Sequence, residues 1–195
     1  MKHAESNKAG FTLVELMIAM AVLGILSGIS IVNLSQQLAK ERLLAASRET
    51  HAWLETQRGI AITDATACEI TITPSDATLQ PSGATIQLRN FNDKPEFIDN
   101  ACKNQAPLKI RETVGNGSNI SLSIEPANAT LIRFSMRGTN EIITTEGDKE
   151  SQIELKLSQA GTARQRCIKI ISPLALIRNG FAKTSSEPCS YSSTF

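Results

Sequence analysis

One acidic side chain interrupts an apolar segment near the start of the chain. From Phe11 to Leu34, Glu15 is the only charged residue. A helix over this segment would be about 36 Å long at about 1.5 Å per residue, enough to cross a hydrocarbon core of about 30 Å. An acidic side chain at the middle of a membrane helix costs about 2.5–3.5 kcal/mol. We therefore expect Glu15 to have a specific partner.

The residues before the apolar segment predict its orientation. They carry more basic than acidic side chains, which keeps residues 1–10 in the cytosol and places the C-terminal part outside it. A cleaved secretory signal is disfavoured, because cutting after Ala21 would leave a short apolar region that Glu15 breaks. A plain single-pass anchor for an extracytoplasmic domain remains an alternative.

Residues 35–61 predict an amphipathic continuation of the helix. Charged and polar side chains alternate with apolar ones, and no proline occurs before Pro74. Residues at three- and four-residue steps form one narrow stripe, which we expect to pack on a sheet. The stripe comprises Ala39, Leu43, Ala46, Thr50, Trp53 or Leu54, and Ala61.

Residues 62–195 predict an extracytoplasmic β-rich domain. Short segments rich in Ile, Thr, Leu and Ser alternate with turn residues, as is typical of strands in an antiparallel sandwich. The expected class is α+β, with a long N-terminal helix packed on the sandwich. Residues 184–186 and 190–195 of the C-terminal tail are expected to be loosely ordered, unlike its cysteine. The predicted strands are Glu69–Thr73, Thr85–Leu88, Leu108–Thr113, Ile120–Ile124, Leu131–Ser135, Glu141–Thr144, Gln152–Leu157 and Ile168–Ser172.

All four cysteines fall in the predicted extracytoplasmic part, where oxidation is expected. Three pairings are possible. Chain order favours Cys68 with Cys102 and Cys167 with Cys189. A metal site is disfavoured, because the sequence has no Cys-x-x-Cys and only His51 follows the leader.

The segment Lys8-Ala9-Gly10-Phe11-Thr12-Leu13-Val14-Glu15 resembles the class III signal of type IV prepilins and type II secretion pseudopilins. This resemblance implies that a prepilin peptidase cuts after Gly10 and that the new amino group of Phe11 is methylated. It also implies an inner-membrane assembly platform, other pilins or pseudopilins as partners of the helix, and membrane lipid before assembly. Glu15 would then serve assembly.

Two segments of the C-terminal part resemble the GspH/FimT group of minor pilins and pseudopilins. Residues 131–138, Leu-Ile-Arg-Phe-Ser-Met-Arg-Gly, are similar to a strand ending in a Phe-x-x-x-Gly turn, and residues 167–172 are similar to the last core strand. The resemblance implies a minor subunit that primes or caps a filament.

Some members of that group bind DNA in natural competence through a Gly-Arg-x-Arg segment, so a DNA-binding minor pilin is a second alternative. Here Ala175 and Leu176 replace the glycine and the first arginine, and Arg178 remains. From Lys156 to Phe195 the chain nevertheless has six basic residues against Glu187 alone, and such a cluster can bind phosphates. The candidate DNA contacts are Arg164, Arg166, Lys169, Arg178 and Lys183.

Catalysis finds no support in the sequence, which has no nucleophile elbow, no Ser/His/Asp set and no glycine-rich phosphate loop. We expect a structural protein without cofactor or metal. The expected organisation is a cleaved leader at 1–10, a transmembrane and filament-core helix at 11–34, an amphipathic helix at 35–61 and the β-rich domain at 62–195.

Overall fold

The computed structural model describes residues 12–81, 102, 104–113 and 119–191, and for helix residues 27–33 it describes the backbone alone. Several predicted features lie outside these residues. They are the cleavage position at Gly10 and Phe11, the strand Thr85–Leu88 and the turn at residues 115–117. The chain divides into two compact units, Met1–Leu38 and Ala39–Phe195.

One long helix is followed by short antiparallel strands, which confirms the α+β class. The elements are α1 (Leu13–Thr63), β1 (Cys68–Thr73), β2 (Thr78–Pro81), β3 (Leu108–Lys109), α2 (Ile110–Thr113), β4 (Ile120–Glu125), β5 (Ala129–Phe134), β6 (Asn140–Thr144), β7 (Lys149–Glu150), β8 (Gln152–Gln159), β9 (Gln165–Ile171) and β10 (Leu176–Ala182). Among the residues described, no helical stretch combines the length and the apolar character needed to span a bilayer.

The strands form two sheets. The six-stranded sheet has the order β3-β2-β1-β5-β6-β7, and the four-stranded sheet has the order β10-β9-β8-β4. All the strand pairs are antiparallel. Side chains alternate between buried and accessible along most strands, as in β8, where Ile153, Leu155 and Leu157 are fully buried.

The second part of α1 shares one hydrophobic core with both sheets. Its buried face follows the predicted stripe, including Leu43 and Leu54, which are 1% and 0% exposed. Leu54 occupies the buried position, whereas Trp53 is only partly buried and packs against the core. The buried face also includes the polar side chains Ser47, Thr50 and Gln57, of which only Thr50 was predicted.

The predicted strand Leu108–Thr113 is wrong after Lys109, where α2 begins. The backbone N–H of Ile110 donates to the carbonyl of Ala77 at 3.0 Å, and Lys109 pairs with Glu112 one helical turn away, also at 3.0 Å. The guanidinium of Arg111 donates to carbonyl oxygens of two separate segments. These contacts favour a helical turn, because an extended chain would move Glu112 away from Lys109.

Three strands were not predicted, namely β2, β7 and β10. β10 contains Gly180, which weakens the local strand signal, but it pairs with β9 over its whole length. The connection between β9 and β10 is tied to the six-stranded sheet through Asn140. The backbone N–H of Asn140 donates to the carbonyl of Pro173 at 2.9 Å, and the side-chain Oδ1 of Asn140 accepts from the N–H of Ala175 at 2.9 Å.

Candidate functional site

The helix α1 begins next to the residue that the sequence singled out. The N–H of Glu15 donates to Oγ1 of Thr12 at 3.3 Å, and the N–H of Leu16 donates to the carbonyl of Thr12 at 3.3 Å. Thr12 is thus the N-cap of α1, and Glu15 lies in the first turn with its side chain exposed. A carboxylate is favoured there, because the helix dipole presents partial positive charge at its N-terminus.

Large apolar side chains on both sides of Glu15 are exposed in the part of α1 that the structure describes. Leu13 is 76% exposed and Ile25 is 68% exposed. A contiguous apolar surface of this kind marks a site of contact with protein or membrane. It includes Leu13, Val14, Leu16, Met17, Ile18, Met20, Val22, Leu23, Ile25, Leu26, Leu34 and Leu38.

The candidate DNA contacts do not form one cluster. Lys169 and Arg178 lie directly opposite each other on β9 and β10, on the outer face of the four-stranded sheet. Arg166 lies three residues before Lys169 and therefore points to the opposite face. Arg164 is exposed in the turn between β8 and β9, and Lys183 is exposed after β10.

Lys156, on the outer face of the four-stranded sheet, is neutralised by two carboxylates. Its Nζ bonds with Glu125, and it lies 3.8 Å from Oε1 of Glu154. The hydrogen bond with Glu125 raises the pKa of Lys156, and that with Lys156 lowers the pKa of Glu125. Lys156 therefore adds little free positive charge to this face.

Ser190 and Tyr191, the last described residues of the C-terminal tail, contact the sheet, contrary to the expectation of loose order for them. Cys189 forms a disulfide with Cys167 on β9, and the backbones of Ser190 and Phe181 exchange hydrogen bonds at 3.0 and 2.9 Å. Cys68 forms the other disulfide, with Cys102. Both pairings are those that chain order favours.

Tyr191 covers the middle of the outer face. A Cβ atom at Gly180 would lie 2.7 Å from the Tyr191 ring, so only glycine leaves room for this side chain. Lys169 places its Nζ 5.3 Å from the ring centroid, within range of a cation–π contact. Burial and the nearby Glu154 carboxylate raise the pKa of Tyr191 well above its usual range.

A carboxylate oxygen of Glu154 and the Sγ atoms of Cys167 and Cys189, atoms of the kind that bind metal ions, lie within 4.8 Å of one another. Both sulfur atoms belong to the disulfide, so neither is a thiolate that could hold a metal.

A comparison with known protein families identifies a motif at the N-terminus. Residues 6–31 match the model of the prokaryotic N-terminal methylation motif. The N-terminal segment carries this motif. This match confirms the predicted resemblance over the segment that contains Gly10, Phe11 and Glu15.

The chain is also similar in structure to the type IV minor pilin FimU of Pseudomonas aeruginosa strain PAO1. The crystal structure in space group P21 gives a TM-score of 0.46 at 13% identity, covering 77% of this chain and 94% of that chain. The structure in space group P65 gives a TM-score of 0.46 at 15% identity, covering 73% and 98%. No curated protein matches the sequence.

Proposed function

We propose that this chain is a minor pilin or pseudopilin, a structural subunit that joins a filament after its leader is removed. The observation that carries the proposal is the methylation motif at residues 6–31, with Glu15 as the single charge at the start of an exposed apolar helix surface. In this function the chain is a substrate of a prepilin peptidase, which cuts after Gly10 and methylates Phe11, and it carries no catalytic site of its own.

Cleavage gives Glu15 a partner. The new ammonium of Phe11 lies four residues before Glu15 in the sequence. Opposite charges about 4 Å apart attract by roughly 4 kcal/mol at an effective dielectric of about 20. If the ammonium belongs to the neighbouring subunit, this attraction sets the axial position of one helix on the next, while apolar contacts supply cohesion.

The exposed apolar side chains of residues 13–26, Leu34 and Leu38 support this arrangement. Before assembly the membrane would cover them, with residues 1–10 in the cytosol and the C-terminal part outside. After assembly the helices of neighbouring subunits would cover them. Gly24 leaves an open position on the helix surface, with no atom within 4 Å of a Cβ built there, and small residues let neighbouring helices approach closely.

The test is incorporation into filaments. Glu15→Ala and Glu15→Gln should each reduce the amount of the chain in sheared or purified filaments by at least roughly tenfold, since a loss of about 1.4 kcal/mol already gives that factor. Glu41→Ala is the matched control, because Glu41 is exposed on the same helix. Wild-type incorporation of both Glu15 variants would refute the proposal.

A further inference from the structure

The strand β10 lies at one edge of the four-stranded sheet, and its free side is only partly covered. On that side, the backbones of Phe181 and Ser190 exchange two hydrogen bonds as an antiparallel bridge. Because the backbone groups of alternate residues point to the same side of a strand, those of Ile177 and Asn179 point to this side too. Neither has a partner there among the residues that the structure describes. An unpaired edge of this kind is a template for an added strand.

The bridge fixes the register of the chain that follows it. Phe181 lies opposite Ser190, so Tyr191 lies opposite Gly180, in agreement with the close contact of its ring with Gly180. An aromatic side chain over a glycine of the neighbouring strand is a recurring device for fixing strand register. The same antiparallel register sets residues 192–195 against residues 179–176, with the opposite positions Ser192 and Asn179, Ser193 and Arg178, Thr194 and Ile177, and Phe195 and Leu176.

Two side chains of β10 match the residues opposite them in this register. Oδ1 of Asn179 is buried without a hydrogen-bond partner among the described atoms, and the hydroxyl of Ser192 is a donor. Leu176 is 39% exposed, and the opposite position is Phe195. Aromatic and aliphatic side chains at opposite positions of an antiparallel pair stabilise it.

We propose that the free edge of β10 receives residues 192–195 of the same chain as an added antiparallel strand, which closes this edge of the sheet. The disulfide of Cys189 with Cys167 and the contact of Tyr191 with Gly180 hold the start of this segment at the edge. A strand of another molecule competes at a disadvantage, because a tethered segment has a high effective concentration. The added strand thus keeps β10 from pairing with other chains. The inference does not depend on the proposed filament function.

The first test is a cysteine pair in the full-length chain in detergent. All four native cysteines are in disulfides, so two introduced thiols are the only free ones. In Arg178→Cys/Ser193→Cys the two positions are opposite each other, at a Cα separation of about 4.5 Å that a disulfide can span. Diamide should therefore oxidise this pair to an intramolecular disulfide, which peptide mapping and intact mass detect.

The matched control is Arg178→Cys/Ser192→Cys. Successive side chains of a strand point to opposite faces, so this pair should give a yield at least roughly fivefold lower. Equal yields from the two pairs would overturn the proposal, because they would show that the segment has no fixed register on β10. Disulfide-linked dimers in place of the intramolecular bond would also overturn it, because a second copy would then occupy the edge.

The second test separates the backbone hydrogen bonds from the side chains. In the proposed register the N–H of position 194 points at β10, whereas that of position 193 points away from it. Proline lacks this N–H and is tolerated in an edge strand only where the N–H faces solvent. Thr194→Pro should therefore speed hydrogen exchange of the Asn179 amide at least roughly tenfold, as a loss of about 1.4 kcal/mol does. Ser193→Pro is the control and should change it by less than about twofold. Equal exchange rates in wild type and both variants, measured by NMR, would overturn the proposal.

Discussion

The same helix meets two different environments along its length. Residues 13–26, Leu34 and Leu38 include large exposed apolar side chains, with Met20 65% exposed, whereas the part from residue 39 buries Leu43 and Leu54 almost completely. The large apolar side chains described in the first part are 47–76% exposed, whereas the second part shares a core with two sheets. The difference indicates that the first part is built for contacts with other molecules and the second for folding of this one.

Truncation of an apolar side chain should distinguish the two parts most strongly. Leu54→Ala should lower the free energy of unfolding by about 2–5 kcal/mol, because it leaves a cavity in a closed core. Met20→Ala should change it by less than about 0.5 kcal/mol. Denaturant titration of the full chain in detergent, followed by the fluorescence of Trp53, measures both. Equal losses would contradict the division.

The disulfide between Cys167 and Cys189 stabilises the β-rich part. Replacing Cys167 and Cys189 together by serine should cost about 3 kcal/mol in the chain-entropy model, for a sequence separation of 22 residues. The same denaturant titration measures this loss. Leader cleavage should proceed unchanged in the variant, because the motif lies at residues 6–31. A variant as stable as wild type would show that the disulfide does not hold the tail in place.

The smallest expected effects come from replacing one glycine in each part of the chain. Gly180→Ala should destabilise the chain by about 1–3 kcal/mol, because the new Cβ would meet the Tyr191 ring at 2.7 Å and the carbonyl of Ser190 at 2.8 Å. Gly24→Ala meets no atom within 4 Å and should not destabilise the isolated chain. Its effect should instead be lower incorporation into filaments, because helices would no longer approach closely. Unfolding curves and filament yields of both variants check the contrast.

Local sequence patterns predicted a large part of this molecule. The helical period predicted that Leu43, Ala46, Thr50 and Ala61 are buried. In an amphipathic helix, the residues of the buried face recur every three or four positions in the sequence. Most strands followed from alternating Ile, Leu and Thr. The disagreements lie where distant residues decide the structure, as at α2, whose turn depends on contacts with Ala77 and Ile120.

The arrangement around the C-terminal segment was not predictable in the same way. Gly180 signals a break when read locally, but in the fold it makes room for Tyr191. Similarly, six cations near the C-terminus suggested one basic patch. Strand register separates Arg166 from Lys169 and places Lys156 beside glutamates, and neither result follows from residue spacing alone.

The central claim is that the leader is removed so that a terminal ammonium becomes available to Glu15 of a neighbour. Intact-mass and N-terminal fragment analysis of the chain purified from its native membrane or filaments tests this most directly. The account predicts a chain that begins at Phe11 with one methyl group on its amino nitrogen. A native chain that still begins at Met1, or that begins after Ala21, would contradict it.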